Sequence, residues 1–161
     1  FDKLPFIYSS SIHFDAVAMR LRTQLNENAK TIAAGHLFPE MNHNEIVGWQ
    51  NPQKLFKHFV VVMLRDKDMH SRVAKRMDIT ADMLRAQRIP VLEVWSRGEE
   101  LLSRTLSLIY IGDFISFYLA ILYGIDPTPV DRVTYLKEQL KKSSPQSLPV
   151  RQAGTVHSPQ L

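Results

Sequence analysis

His58-Phe59-Val60-Val61-Val62-Met63-Leu64 is the segment that indicates the fold most directly. Apolar residues follow one another here without the apolar–polar alternation that is typical of a half-exposed strand. Such a run predicts a strand that is buried on both faces, as in a parallel sheet covered by helices. The polar residues 65–68 end the run, and helical spacing of apolar residues then predicts a helix from about residue 69 to residue 87.

Other segments repeat this order of strand and helix. Short apolar runs predict strands at residues 4–8, 31–34 and 89–95. Apolar residues with helical spacing predict helices at about residues 12–29 and 101–123. The alternation indicates a three-layer α/β sandwich with a mainly parallel sheet, in which ligands bind beyond the carboxyl ends of the strands.

Helix-terminal signals predict where two helices begin. Residues 96–99, Ser-Arg-Gly-Glu, have the spacing of a capping box, so a helix is predicted to start at Ser96. Thr128 followed by Pro129 is typical of an N-cap and a first helical position, which predicts a last helix there. Three apolar residues of that helix are predicted to face the core: Val133, Leu136 and Leu140.

Composition limits the extent of the domain and the classes of partner. The net charge of +4 comes from 20 basic and 16 acidic residues, without the basic and aromatic clusters that are typical of nucleic-acid binding. The absence of cysteine excludes disulfides and thiolate sites and fits a reducing compartment such as the cytoplasm.

A tail rich in Ser, Pro, Gln and Gly predicts one ordered domain at residues 1–142 and disorder at residues 143–161. Because the chain begins at Phe1 without a signal segment, we expect it to be a piece of a longer protein.

The apolar segment at residues 101–123 is long enough to suggest a membrane span. Asp113 lies in its middle, however, and serines and threonines interrupt it. An acidic side chain is costly inside a bilayer. The sequence therefore favours a helix that packs between the sheet and a second subunit, with no membrane contact.

Residues 26–49 hold most of the side chains that are suited to catalysis. The stretch contains three carboxylates, two imidazoles and four carboxamides. Functional groups gather on such connections when a rigid scaffold holds them, and we expect this one to lie beyond the carboxyl ends of the strands. Glu27 is predicted near the C-terminal end of a helix, where the helix dipole disfavours a carboxylate by up to about 1 kcal/mol. That unfavourable placement is a mild indication of function.

Five short motifs follow one another along the chain: Asn26-Glu27-Asn28-Ala29-Lys30, Pro39-Glu40, His43-Asn44, Asp126-Pro127-Thr128-Pro129 and Leu136-Lys137. Their order resembles the C-terminal sugar-isomerase (SIS) domain of the bifunctional phosphoglucose/phosphomannose isomerases. The resemblance extends from about residue 4 to residue 140, and it implies a flavodoxin-type sandwich.

The resemblance implies reversible aldose–ketose isomerisation of hexose 6-phosphates without a metal or other cofactor. One base removes a proton and returns it on the same face of a cis-enediolate, and Glu27 matches the family's base. His43 matches the imidazole that opens the sugar ring, and Lys137 matches the lysine that assists at an oxygen of the sugar. Thr128 matches a threonine linked to tolerance of both C2 epimers, so that mannose 6-phosphate is a possible second substrate.

Two departures from the family affect this expectation. The family binds the substrate phosphate with a Ser/Thr-rich loop of its N-terminal domain, and Ser9-Ser10-Ser11 is only a weak counterpart. The family also takes its histidine from the neighbouring subunit. We therefore expect a homodimer in which His43 acts in the partner's site, and half of an isomerase that is inactive alone.

Three alternatives stay open at this stage. His36, Glu40 and His43 are spaced as possible metal ligands, although Pro39 interrupts a helix that would align them. A non-catalytic, regulatory module that binds sugar phosphates could have the same fold. A purely structural dimerisation domain would use residues 101–123 as its interface.

Overall fold

The computed structural model describes residues 1–143. Four strands form one parallel sheet in the order β2-β1-β3-β4. The strands are β1 (Leu4–Ser10), β2 (Ala34–Phe38), β3 (Phe59–Arg65) and β4 (Val91–Trp95). The α-helices are α1 (Asp15–Glu27), α2 (Glu45–Gly48), α3 (Ser71–Ala86), α4 (Leu101–Leu122) and α5 (Asp131–Ser143), with 3-10 turns at Glu40–His43 and Gln53–His58. The chain divides into a first unit, Phe1–Thr128, which holds the sheet and α1 to α4, and a second unit from Pro129 onward, which holds α5.

Both faces of the sheet are buried, as the apolar run at residues 58–64 predicts. Along β3, Val62 and Leu64 pack into a core that includes α1 and Leu108 of α4. Val61 and Met63 point to the opposite face, where they pack against α3. The expected α/β sandwich with a parallel sheet is therefore confirmed.

Helix α4 packs on α1 through one narrow side. Its buried residues recur every fourth position: Arg104, Leu108, Gly112, Ser116 and Ala120. Arg20 of α1 and Asp113 of α4 form an ion pair at 2.8 Å at the edge of this contact. Length and composition alone would also allow α4 to cross a membrane. In this domain α4 belongs to the helical layer on one face of the sheet, and the side that faces away from α1 exposes large apolar residues.

The second strand lies further along the chain than predicted, at Ala34–Phe38 instead of residues 31–34. Residues 31–33 are used by the turn that follows α1. The amide of Thr31 donates to the carbonyl oxygen of Leu25 at 3.1 Å, and the amide of Ala33 donates to Oδ1 of Asn26. Gly35 then allows β2 to approach β1, because a Cβ at this position would lie 2.5 Å from the carbonyl oxygen of Ile7.

Both predicted helix starts are wrong, since α4 and α5 begin later in the chain, at Leu101 and Asp131. Helix α4 begins at Leu101, and the hydroxyl of Ser96 donates to the carboxylate of Asp66 instead of capping a helix. In α5 the first intrahelical bonds end on the carbonyl oxygen of Val130, so Thr128 is not the N-cap. Contrary to the prediction, the apolar side chains of α5 are exposed: Val133, Leu136 and Leu140. The predicted tail lies outside the described residues, except for Ser143.

Candidate active site

Glu27 is the last residue of α1 and lies at the amino edge of the sheet. This position follows from the topology, because β1 ends at the carboxyl edge and α1 returns the chain to the amino edge, where β2 begins. Glu27 is exposed. Among residues 1–143, no side chain or amide donates a hydrogen bond to its carboxylate. The carboxylate is thus available to a ligand that approaches this edge.

Lys30 connects Glu27 to a distant part of the chain. Its Nζ donates to the carbonyl oxygen of Glu27 at 2.6 Å and to that of Pro127 at 3.0 Å. Pro127 belongs to the segment that follows α4, which runs back to the same edge of the sheet. The backbone of Lys30 has φ of +52°, in the left-handed region.

Thr128 lies one residue beyond this contact and is held by a local turn. Its amide donates to Oδ1 of Asp126 at 2.8 Å. The pKa of the Asp126 carboxyl is lowered, first by the amide and then by the hydroxyl of Thr128, with a smaller contribution from the charge of Lys30. The structure therefore brings two of the predicted site residues, Glu27 and Thr128, into one group around Lys30. We call residues 26–30 and 126–128 the amino-edge cluster.

Asn28 fixes the amino-edge cluster to α4. Its Nδ2 donates to Oε1 of Gln24 at 2.9 Å and to the hydroxyl of Ser116 at 2.8 Å. Ser116 is fully buried and donates in turn to the carbonyl oxygen of Asp113. The three residues of the Asn26-Glu27-Asn28 motif thus differ in role. The side chain of Asn26 accepts a hydrogen bond in the turn after α1, and that of Asn28 donates to Ser116 of α4. The side chain of Glu27 is exposed.

His43 lies at the opposite edge of the sheet. It ends the 3-10 turn that follows the carboxyl end of β2, and it is exposed. The expectation that the whole of residues 26–49 lies beyond the carboxyl ends is therefore wrong for its first part, because β2 carries the chain from one edge to the other. Within one chain, Glu27 and His43 do not share a site.

Two further sets of candidate residues remain. Lys137 is exposed on α5, in the second unit. His36, Glu40 and His43 do not converge, and residues 1–143 contain no group of three such side chains placed to hold a metal ion. In the residues that the structure describes, the metal-site alternative has no geometric support.

Ser10, the last residue of β1, lines a cavity that suits a phosphate poorly. Ser10 and His13 line a cleft of about 350 Å³ at the carboxyl ends of β1 and β3, together with Asp66, Asp68 and Arg104. Arg104 is paired with both aspartates, at 2.9 Å and 2.8 Å. With the arginine charge neutralised by two carboxylates, this cleft offers no excess of positive charge to an anion.

Two arrangements could not be read from the sequence. Glu45 begins α2, and its carboxylate accepts a hydrogen bond from the hydroxyl of the buried Tyr8. Lys30 belongs to the motif at residues 26–30, but its hydrogen bond to Pro127 joins residues that are 97 positions apart in sequence. The polar residues in both stretches indicate that hydrogen bonds form there, but the partner of each residue depends on the tertiary fold.

Two curated proteins are similar to this chain along most of its length. The chain is 45% identical over 139 residues to a bifunctional phosphoglucose/phosphomannose isomerase of Caldicellulosiruptor bescii, which covers 86% of the chain and 41% of that protein. It is 39% identical over 139 residues to a protein of the same name from Aquifex aeolicus, covering 86% of the chain and 43% of that protein. The chain thus spans about two-fifths of the length of these relatives.

A solved structure with a similar fold is that of a glucose-6-phosphate isomerase-like protein from Thermus thermophilus. The TM-score is 0.65 at 23% identity, over 79% of this chain and 42% of that one. The model of the bacterial phospho-glucose isomerase C-terminal SIS domain matches residues 1–140, almost all of the described chain. This chain belongs to that SIS-domain family, whose named relatives are sugar-phosphate isomerases.

Proposed function

We propose that this chain is half of a metal-independent isomerase that interconverts glucose 6-phosphate and fructose 6-phosphate, and also accepts mannose 6-phosphate. The observation that carries the proposal is the amino-edge cluster, in which Glu27 has an exposed carboxylate and Lys30 joins its backbone to that of Pro127, the neighbour of Thr128. The names of the relatives support the same substrates. The lack of cysteine supports a site of action in the cytoplasm.

In this mechanism Glu27 is the base. The open-chain sugar loses the proton on C2 to the Glu27 carboxylate, while the carbonyl at C1 becomes an enediolate. The same carboxyl returns the proton to C1, while the hydroxyl proton on O2 passes to O1, so that the oxygen on C2 becomes the new carbonyl and atoms and charge balance without an oxidant. His43 opens the sugar ring, and Lys137 assists at an oxygen of the sugar. Thr128 lies beside C2 and tolerates either configuration there.

The separation of Glu27 from His43 supports a homodimer. One chain cannot bring its own base and imidazole together, since they lie at opposite edges of the sheet. A second copy can supply His43 to the amino-edge cluster of the first. The exposed side of α4, with Leu106, Tyr110 and Phe114 among its apolar residues, is a surface that such an assembly can bury.

The first test is the rate of fructose 6-phosphate conversion to glucose 6-phosphate by the full-length protein that contains this chain, with a chelator present. We expect activity to survive the chelator. Glu27→Gln keeps the shape of the side chain and removes the base, so kcat should fall by about 10²–10⁴-fold.

Glu99→Gln is the matched control, because Glu99 is an exposed carboxylate that pairs with Lys67 away from the cluster. This variant should retain the wild-type rate. Loss of activity to the chelator would instead support a metal-dependent reaction. Binding of sugar phosphate without turnover would make the domain a regulatory module and would leave Glu27 without the role of a base.

A further inference from the structure

Lys30 makes contacts that a helix cap alone does not explain. A lysine at a helix C-terminus commonly donates to the last carbonyl groups, and the bond to the carbonyl oxygen of Glu27 fits this pattern. The second bond, to Pro127, reaches a segment 97 residues away. Nothing in the capping of α1 requires that second contact.

The backbone of Lys30 strengthens this argument. Its φ of +52° lies in a region that residues other than glycine adopt rarely and at a cost in free energy. Glycine would meet the needs of the turn without strain. A lysine at this position therefore indicates that its side chain contributes something that glycine cannot.

We propose that Lys30 is a positioning residue that sets the distance between the base Glu27 and the substrate-facing Thr128. This inference rests on the proposed function of the cluster. The ammonium group holds the carbonyl oxygens of Glu27 and Pro127 on one nitrogen, and the Asp126 turn then fixes Thr128 one residue further on. Lys30 itself need not touch the sugar.

The expected consequence is a change in kcat and in the preference between epimers. A base that is displaced by about 1 Å can lose roughly 10²-fold in rate, although the substrate still binds. If Lys30 also holds Thr128, its loss changes the space beside C2, where glucose and mannose 6-phosphate differ. General destabilisation would lower both rates in the same proportion.

The test compares Lys30→Met, Lys30→Arg and Glu27→Gln in the full-length protein, with both aldose phosphates as substrates. Methionine keeps the length and the backbone strain of lysine but cannot donate. We expect Lys30→Met to lower kcat by about 10- to 100-fold with little change in KM. The ratio of kcat/KM for mannose 6-phosphate to that for glucose 6-phosphate should change several-fold. Arginine can donate to both carbonyl oxygens, so Lys30→Arg should recover most of the rate and of the ratio.

Lys67→Met is the control for removing an exposed lysine, because Lys67 pairs with Glu99 at the carboxyl edge, and it should behave as wild type. If Lys30→Met fails to fold, Lys30→Gly replaces it, since glycine removes the side chain and relieves the strain. A wild-type kcat and ratio in Lys30→Met beside an inactive Glu27→Gln would overturn the inference and leave the proposed function standing. Equal losses in the Met and Arg variants, or a rise in KM alone, would also overturn it. Full activity of Glu27→Gln would contradict the proposed function itself.

Discussion

Tyr8 joins the sheet to the segment that follows β2. Its side chain is fully buried, and its hydroxyl donates to the carboxylate of Glu45 and accepts from Nε1 of Trp49 at 2.9 Å. Burial, and then the hydrogen bond and charge of Glu45, raise the pKa of Tyr8 above its ordinary value of 10.0. Folded Tyr8 therefore keeps its proton at a pH where the unfolded chain has lost it.

This shift predicts a loss of stability at high pH. Above pH 10 the folded state binds more protons than the unfolded state, so the free energy of unfolding contributed by Tyr8 should fall by up to about 1.4 kcal/mol per pH unit. Tyr8→Phe should remove this slope. It should also cost roughly 1–3 kcal/mol at neutral pH, because the buried Nε1 of Trp49 loses its acceptor. Urea unfolding, followed by tryptophan fluorescence between pH 7 and 11, measures both effects.

Tyr135→Phe is the matched control, since the side chain of Tyr135 is 64% exposed and lies on α5. It should leave the free energy of unfolding unchanged. If wild type and Tyr8→Phe lose stability with the same slope above pH 10, the hydroxyl of Tyr8 does not have the raised pKa, and the network with Glu45 and Trp49 would need another explanation.

At the scale of elements, the packing of α1 on α4 decides where Glu27 lies. Gly112 of α4 faces Leu21 of α1, and a Cβ at Gly112 would lie 3.3 Å from Cδ1 of Leu21. One turn further along α4, Ser116 accepts the hydrogen bond from Asn28. The helix that carries Glu27, the proposed base, is thus held by a close approach and by a polar contact beside it.

Gly112→Val should separate the two helices. We expect it to lower the free energy of unfolding by about 1–3 kcal/mol, because its methyl groups overpack the contact with Leu21. Helix propensity acts in the opposite direction by a few tenths of a kcal/mol, since glycine is the poorer helix former. The turnover rate should fall as well, because α1 ends at Glu27. Denaturant unfolding and the isomerase assay measure the two effects separately.

Met83→Val places the same β-branched side chain on another helix, α3, at a position that is 46% exposed, and it should be nearly neutral in both measurements. A Gly112→Val variant that is as stable and as active as wild type would show that this contact does not set the position of α1.

The sequence allows the order and the packing faces of most elements to be predicted, because periodicity records which side of an element is buried. The apolar run at residues 58–64 is an example, because its lack of alternation predicts the burial of β3 on both faces. Element boundaries were less accurate. The 31–34 strand prediction failed because Asn26 and Leu25 take up the amides of Ala33 and Thr31, and apolar character alone does not reveal such bonds. The contacts of Lys30 and Glu45 depend on segments that are distant in sequence, so no local pattern predicts them.

At the scale of the whole molecule, the sheet separates the two residues on which the proposed reaction depends. Glu27 lies at the amino edge and His43 beyond the carboxyl edge, with the length of β2 between them. The proposed homodimer resolves this separation, because each site would combine the Glu27 of one subunit with the His43 of the other. In a symmetric dimer, both sites would be built in the same way.

This arrangement predicts complementation between two inactive variants. Glu27→Gln and His43→Gln should each abolish most of the isomerase activity as homodimers. In a hybrid dimer, one site carries both substitutions and the other carries neither. Unfolding and refolding an equal mixture of the two variants should therefore restore roughly a quarter of the wild-type rate, since half of the dimers are hybrids and each has one intact site.

The control is a mixture of Glu27→Gln with Lys30→Met. Both substitutions affect the amino-edge cluster, so each site of a hybrid carries one of them and the mixture should stay at the average of its components. Recovery in this control as well would point to an artefact of refolding. Without recovery in the Glu27→Gln and His43→Gln mixture, although a purification tag on one variant captures the other and so shows that hybrids form, Glu27 and His43 of the same subunit would have to serve one site. That outcome would require a rearrangement of the chain around β2.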